Sequence, residues 1–141
     1  MIIINFSHKL TEPQIESIKA LTHFEEIERV ISLPVQFDPQ LPFQGQLVSL
    51  MEEIPLSLDE MQTLPIVVNL PSLNHIAAMV LAYLHGKMGH FPTIIRIRPA
   101  ADSTPTQFEV AELINLQIIR DKYSSHQVQP GEKAPDEIVV L

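Results

Sequence analysis

The chain has 141 residues, and nine Lys and Arg against seventeen Asp and Glu give it a formal charge of −8. That balance argues against a broad surface for long nucleic acid or an anionic membrane, but it leaves room for a small anionic ligand held by local geometry. Cysteine is absent, which removes disulfides, thiolate nucleophiles and thiolate metal ligands together and suits a reducing compartment.

Met1 to Asn5 is an apolar run that halts at an asparagine. Its isoleucines predict a strand buried on both faces, hence one in the middle of a sheet. Met1 enters the strand with no basic, small-residue leader, the pattern of a cytoplasmic protein. Thr11, Pro13 and Gln14 then supply a capping box and a first-turn proline for a helix that ends near Thr22 or His23, with Ile15, Ile18 and Leu21 facing the core. Ile27 to Phe37 reads as a second strand, closed by Asp38-Pro39. Leu47, Leu50, Met51 and Ile54 mark a helix from about Phe43 to Ile54, and Ser57 with Glu60 forms a second capping box before a short helical turn.

Ile66 to Leu70 is the third strand, and Pro71-Ser72 starts the strongest helix of the chain. Its apolar stripes run from Leu73 to Leu84; the longest apolar stretch of the chain, around Ile76 to Leu84, is too short and interrupted to cross a bilayer, and Gly86 and Gly89 terminate the helix. Thr93 to Arg98 is the fourth strand. Thr106 to Glu109 is compatible with a helix cap, but the alternation of Phe108 and Val110 with polar neighbours favours a strand up to Ile114. Asn115 then caps a helix from Leu116 to Tyr123. The order is that of one open, doubly wound α/β domain over residues 1–123, with a mostly parallel sheet, helices on both faces and a hairpin of the last two strands. The tail, residues 124–141, is polar until Ile138 to Leu141, an expected edge strand or partner contact.

In such a sheet the carboxyl ends of the strands form the ligand rim. Asn5, Phe6, Ser7 and His8 fall there. One reading is a nucleotide pocket, with Phe6 stacked on a base, Asn5 and Ser7 bonded to ribose or phosphate, and His8 at phosphate or a ribose hydroxyl. The other is a turn in which Asn and Ser satisfy local backbone groups. Gln36 lies near the same rim. Asn69, Pro71 and Ser72 offer either an anion site at a helix start or a plain cap. Arg96 and Arg98 share a strand face; Arg98 reaches the rim, and both alternatively pair with Glu109 or Glu112. His85, Lys87, Met88, Gly89 and His90 form a polar cluster at the opposite pole, as ligand or subunit contacts or as an ordinary helix end. No histidine spacing fits a metal, and no phosphate-cradling or hydrolase motif is present, so neither metal nor cofactor is expected.

Together IIINFSH, PVQFDP, PIVVNLPSLN, LHGKMGHFP and FEVAELINLQ resemble the small stand-alone CRISPR-associated proteins of the Csx series found with type III systems. The resemblance covers most of residues 1–123. It implies a Rossmann-like fold related to the CARF domains and a cyclic oligoadenylate ligand, the messenger of the type III effector, with Asn5 to His8 in the first ligand loop and Gly89 and His90 as ligand or subunit contacts. Three activities are compatible with it. The first is capture of cyclic tetra-adenylate between protomers, as a dimer or a head-to-tail oligomer or filament, which damps signalling. The second is a metal-independent ring nuclease using His8 for proton transfer and Arg98 for charge stabilisation. The third is an interaction module without a nucleotide ligand.

Overall fold

A computed structural model describes residues 1–23 and 25–124. The elements run β1 (Ile2–Asn5), α1 (Glu12–Leu21), β2 (Arg29–Ser32), α2 (Phe43–Met51), α3 (Leu58–Thr63), β3 (Ile66–Asn69), α4 (Asn74–Met88), β4 (Thr93–Pro99), β5 (Phe108–Asn115) and α5 (Leu116–Ser124). The sheet order is β2-β1-β3-β4-β5, with the first four strands parallel and β5 antiparallel to β4. The fold is therefore α/β and Rossmann-like, a five-stranded, mostly parallel open sheet closed on one side by a hairpin. The expectation for Ile138 to Leu141 falls outside the described residues. No described helix is long and apolar enough to cross a membrane.

β1 lies between β2 and β3, and every residue of it is buried. Alternation sends Ile2 and Ile4 to one face, where they join Leu47, Met51, Met61, Ile76 and Val80 from α2, α3 and α4. It sends Met1 and Ile3 to the other face, against Leu10, Ile18, Val67 and Ile95. A strand that must be apolar on both sides reads as a continuous run, and each sealed isoleucine contributes about 1.5–3 kcal/mol of transfer free energy. The two faces are covered by different crossovers: α1 leads from β1 to β2, whereas α2 and α3 lead from β2 across β1 to β3. The connections thus diverge on either side of the β1/β3 pair, and that pair is the topological switch point.

Several expected boundaries shift for identifiable reasons. Among the described residues β2 is a four-residue edge strand rather than Ile27 to Phe37, because the one strand it pairs with there, β1, ends at Asn5, opposite Ser32. α2 stops at Met51, although Ile54 beyond it stays buried. In α1, Ile18 is sealed, while Leu21, the last helical residue, is 46% exposed. The helix start expected at Pro71-Ser72 lies at Asn74, with Leu73 as an N-cap that makes no side-chain bond. Both capping boxes form, Thr11 with Gln14 and Ser57 with Glu60. The Ser57 backbone amide, and then its hydroxyl, hold the Glu60 carboxyl below its usual pKa.

Of the two glycines expected to end α4, only Gly89 does so, as a left-handed C-cap at φ 78°. Gly86 lies inside the helix, and a Cβ there would meet nothing within 4 Å. Gly86→Ala is expected to raise unfolding free energy by about 0.5–1 kcal/mol, because the glycine loses more chain entropy on ordering. Gly89→Ala is expected to lower it by about 1 kcal/mol through the left-handed backbone. Urea titration of the two variants should move the midpoint in opposite directions.

Candidate functional site

The carboxyl ends of β1 and β3 are held together by two asparagines in register, Asn5 opposite Asn69. Asn5 is 1% exposed and Asn69 6%. The Asn5 side chain is occupied on both sides: Oδ1 accepts from the Ser7 backbone amide at 3.0 Å and from Asn69 Nδ2 at 3.0 Å, and Nδ2 donates to the His8 carbonyl at 2.9 Å. The Phe6 amide also donates to the Asn69 carbonyl at 2.9 Å. A buried amide held by two loop backbone groups and by a side chain of the neighbouring strand fixes the loop's shape. The expectation that Asn5 bonds a ligand is corrected on this point, since its polar groups hold the turn instead.

Phe6 requires a second correction. Its side chain is 2% exposed and packs into the core with Ile4, Leu33 and Ile76. It forms the floor beneath the rim and offers no free ring face on which a base could stack. Ser7 and His8 rise above that floor, with His8 exposed.

Two depressions meet on the Ser7-His8 loop. The smaller, about 300 Å³, is lined by Phe6, Ser7, His8, Gln36, Pro71 and Ser72 together with Pro34, Val35, Leu73 and Ile76. It thus brings together six of the residues singled out in the sequence. Its wall includes the first turn of α4, a 15-residue helix whose N-cap Leu73 makes no side-chain bond, although Asn74 Oδ1 already accepts from the His75 amide at 2.9 Å; the remaining N–H groups of such a terminus carry partial positive charge. Ser72 contributes as a wall residue rather than as the helix cap.

The larger depression, about 990 Å³, lies on the α1 side of the loop. Ser7, His8, Asn69 and Ser72 line it with Ile95 and Ile97 of β4, Phe108 of β5, and Thr11, Pro13 and Gln14 of α1. Here the helix start is not an anion site. Thr11 and Gln14 bond each other's backbone amides, Pro13 has no N–H, and Glu12 adds negative charge. Gln14 also donates through Nε2 to the Phe108 carbonyl at 3.0 Å, pinning α1 to the start of β5. The groove thus joins apolar walls at Leu70, Ile95, Ile97 and Phe108 to polar and cationic lining residues, Lys9, Arg96 and Gln107 among them.

Arg98 is not brought to either depression. Its Nε lies 3.1 Å from Glu109 Oε1, just as Arg96 Nε lies 3.1 Å from Glu112 Oε1, in a ladder across the β4/β5 hairpin. Both pairs are about half exposed, so each is worth little to stability. The second-pole residues are likewise remote from the rim. Met88 is 3% exposed in the core, so it is not a surface contact. His85 packs on Phe91 with ring centroids 4.2 Å apart, Lys87 lies over the Tyr83 ring, and Gly89 is committed to the helix cap. His90 lines a separate depression of about 370 Å³ beside Met1, Phe91 and Gln117.

Lys9, Phe108 and Gln14 are among the lining residues of the larger groove that sequence reasoning did not place at the site. Lys9, exposed on its lip, makes no ion pair among the described residues; it directly follows His8 and was legible as the loop's cation. Phe108 is 56% exposed at the groove wall, and its alternation signalled a strand without signalling a pocket. Gln14 was legible as a cap but not as a groove wall. No family model, curated protein or solved structure matches the chain.

Proposed function

We propose that this protein binds a cyclic oligoadenylate, cyclic tetra-adenylate, at the rim around Ser7 and His8 and holds it between protomers, withdrawing the messenger from type III CRISPR signalling. The observation that carries the reading is the pairing of two unlike compartments on one loop at the switch point. The smaller, walled by the start of α4, where among the described residues only the His75 amide is taken by a side chain, suits phosphate. The larger, walled by isoleucines and an exposed phenylalanine, suits a base. Both are open to one side, so a nucleotide ring seated there leaves a face for a second copy of the chain, in a dimer or a head-to-tail assembly.

The ring-nuclease reading has less support. Arg98, its charge stabiliser, is engaged by Glu109, and among the described residues nothing hydrogen-bonds the His8 imidazole to orient it. Incubation with cyclic tetra-adenylate, following ligand integrity by chromatography and particle size by light scattering, tests the proposal. Intact ligand with larger particles is the expected result, and His8→Ala is expected to weaken binding about tenfold. Linear products without growth in size would replace capture by cleavage, and absence of binding at low micromolar concentration would leave the interaction-module reading.

A further inference from the structure

The nucleotide reading leaves open which part of the ligand enters the larger groove and what recognises it there. The answer rests on a hydrogen-bond polarity that the backbone dictates. Which end of an asparagine amide is oxygen is decided by its partners. The Ser7 N–H is a donor and the His8 C=O an acceptor, so Asn5 must face them with Oδ1 and Nδ2 respectively. Asn5 Oδ1 then requires a donor from Asn69, which assigns Nδ2 of Asn69 to that contact. Asn69 Oδ1 is what remains. Among the described residues it accepts no hydrogen bond, yet it is not among their sealed-off polar atoms. Asn69 lines the groove beside Leu70, Ile95, Ile97 and Phe108 while being 6% exposed.

A nearly buried amide that lines a groove and keeps an unpaired, unsealed acceptor selects for a ligand donor. At Asn69 itself a phosphate is disfavoured, because its oxygens would face the amide oxygen; the cations that line the groove are Lys9 and Arg96, and Arg96 is already paired with Glu112. A flat ring bearing an amino group satisfies both features: its faces lie on Ile97 and Phe108, and its N–H₂ donates to Asn69 Oδ1. Amide side chains read the amino edge of adenine in this way. Resting on the nucleotide-binding reading, we infer that the larger groove is the base compartment of the site and that Asn69 is its specificity-determining residue, reading the 6-amino group of adenine. Lys9 on the lip is then placed for the adjoining phosphate.

The test compares the affinities of cyclic tetra-adenylate and cyclic tetra-inosinate, in which the 6-amino group is replaced by a carbonyl, by calorimetry. The full chain is expected to prefer the adenine ring at least tenfold, and Asn69→Leu to bring that ratio to about one. Asn5 Oδ1 keeps the Ser7 amide in Asn69→Leu, so the loop retains its anchor. Phe108→Ala, at an exposed position, is expected to weaken both ligands about fivefold or more while keeping the ratio. Should Asn69→Leu fail to fold, the side-chain amide NMR signal of Asn69 in the unmodified chain gives the same answer, shifting with the adenine ring and not with the inosine ring. Equal affinity of the unmodified chain for both rings, or an undiminished ratio in Asn69→Leu, would overturn this inference alone. Failure of both rings to bind would overturn the nucleotide reading and this inference with it.

Discussion

Truncation of Phe6 to alanine is expected to lower the unfolding free energy by about 3–5 kcal/mol, the range for deleting a fully packed aromatic side chain. The ring is 2% exposed and shares a cluster with Ile4, Ile31, Leu33 and Ile76, contributed by β1, the β2 segment and α4. None of these neighbours can close over the void without moving a helix against the sheet, so most of the cavity should persist. The measurement is urea unfolding followed by circular dichroism. A rim residue with a free face would behave differently, losing ligand affinity at nearly unchanged midpoint, since exposed substitutions stay within about 0.5 kcal/mol. A cost below about 1 kcal/mol would return Phe6 to the rim. Ligand binding by Phe6→Ala is informative only alongside the midpoint, because this floor supports Ser7 and His8.

The contrast between Phe6 and Phe108 explains much of what the sequence disclosed and what it hid. Continuous apolar runs identified β1 and β3 as central strands, and their abrupt end at Asn5 and Asn69 located the rim, because a strand buried on both faces has no other reason to turn polar. Complete capping signals located α1 and α3. The side-chain direction within NFSH was not legible. One residue beyond the last strand position, Phe6 continues the alternation and points to the α4 face with Ile2 and Ile4, while Asn5 points to the other. Reading the four residues as one exposed loop ignored that the period of two runs a residue past the ladder.

The limit was of another kind at Arg98 and at the larger groove. The alternation in β4 placed Arg96 and Arg98 on one face, and the antiparallel hairpin sets Glu112 and Glu109 directly opposite, so the nearer carboxylates take them. That outcome depends on register, with a shift between Arg96 and Ile97, which no local pattern specifies. The groove depends on α1 lying against β5, a contact between residues 94 apart in the chain, sealed by Gln14 and the Phe108 carbonyl. Pockets formed by such long-range contacts have no signature in any short stretch. A cap residue such as Gln14 is legible in its local role and silent about its distant one.

Replacing Asn5 by alanine is expected to lower the unfolding free energy by about 3 kcal/mol, from the loss of three hydrogen bonds at about 1 kcal/mol each. Two are to loop backbone, Ser7 N–H and His8 C=O, and the third is to Asn69. Asn69→Ala removes only the last and should cost about 1 kcal/mol. A double-mutant cycle separates the terms: the coupling between the two positions should be about 1 kcal/mol, leaving about 2 kcal/mol of the Asn5 effect independent of Asn69. A coupling near zero would mean that the buried amide pair is structurally idle. A larger effect of Asn69→Ala than of Asn5→Ala would place the loop's anchor on β3. The order matters for function, because Asn5 anchors the loop while Asn69 hangs from Asn5. The loop can then keep its shape when Asn69 is changed, and the proposed reading of a base by Asn69 requires that order, since only then does a change at Asn69 leave intact the rim that presents Ser7 and His8.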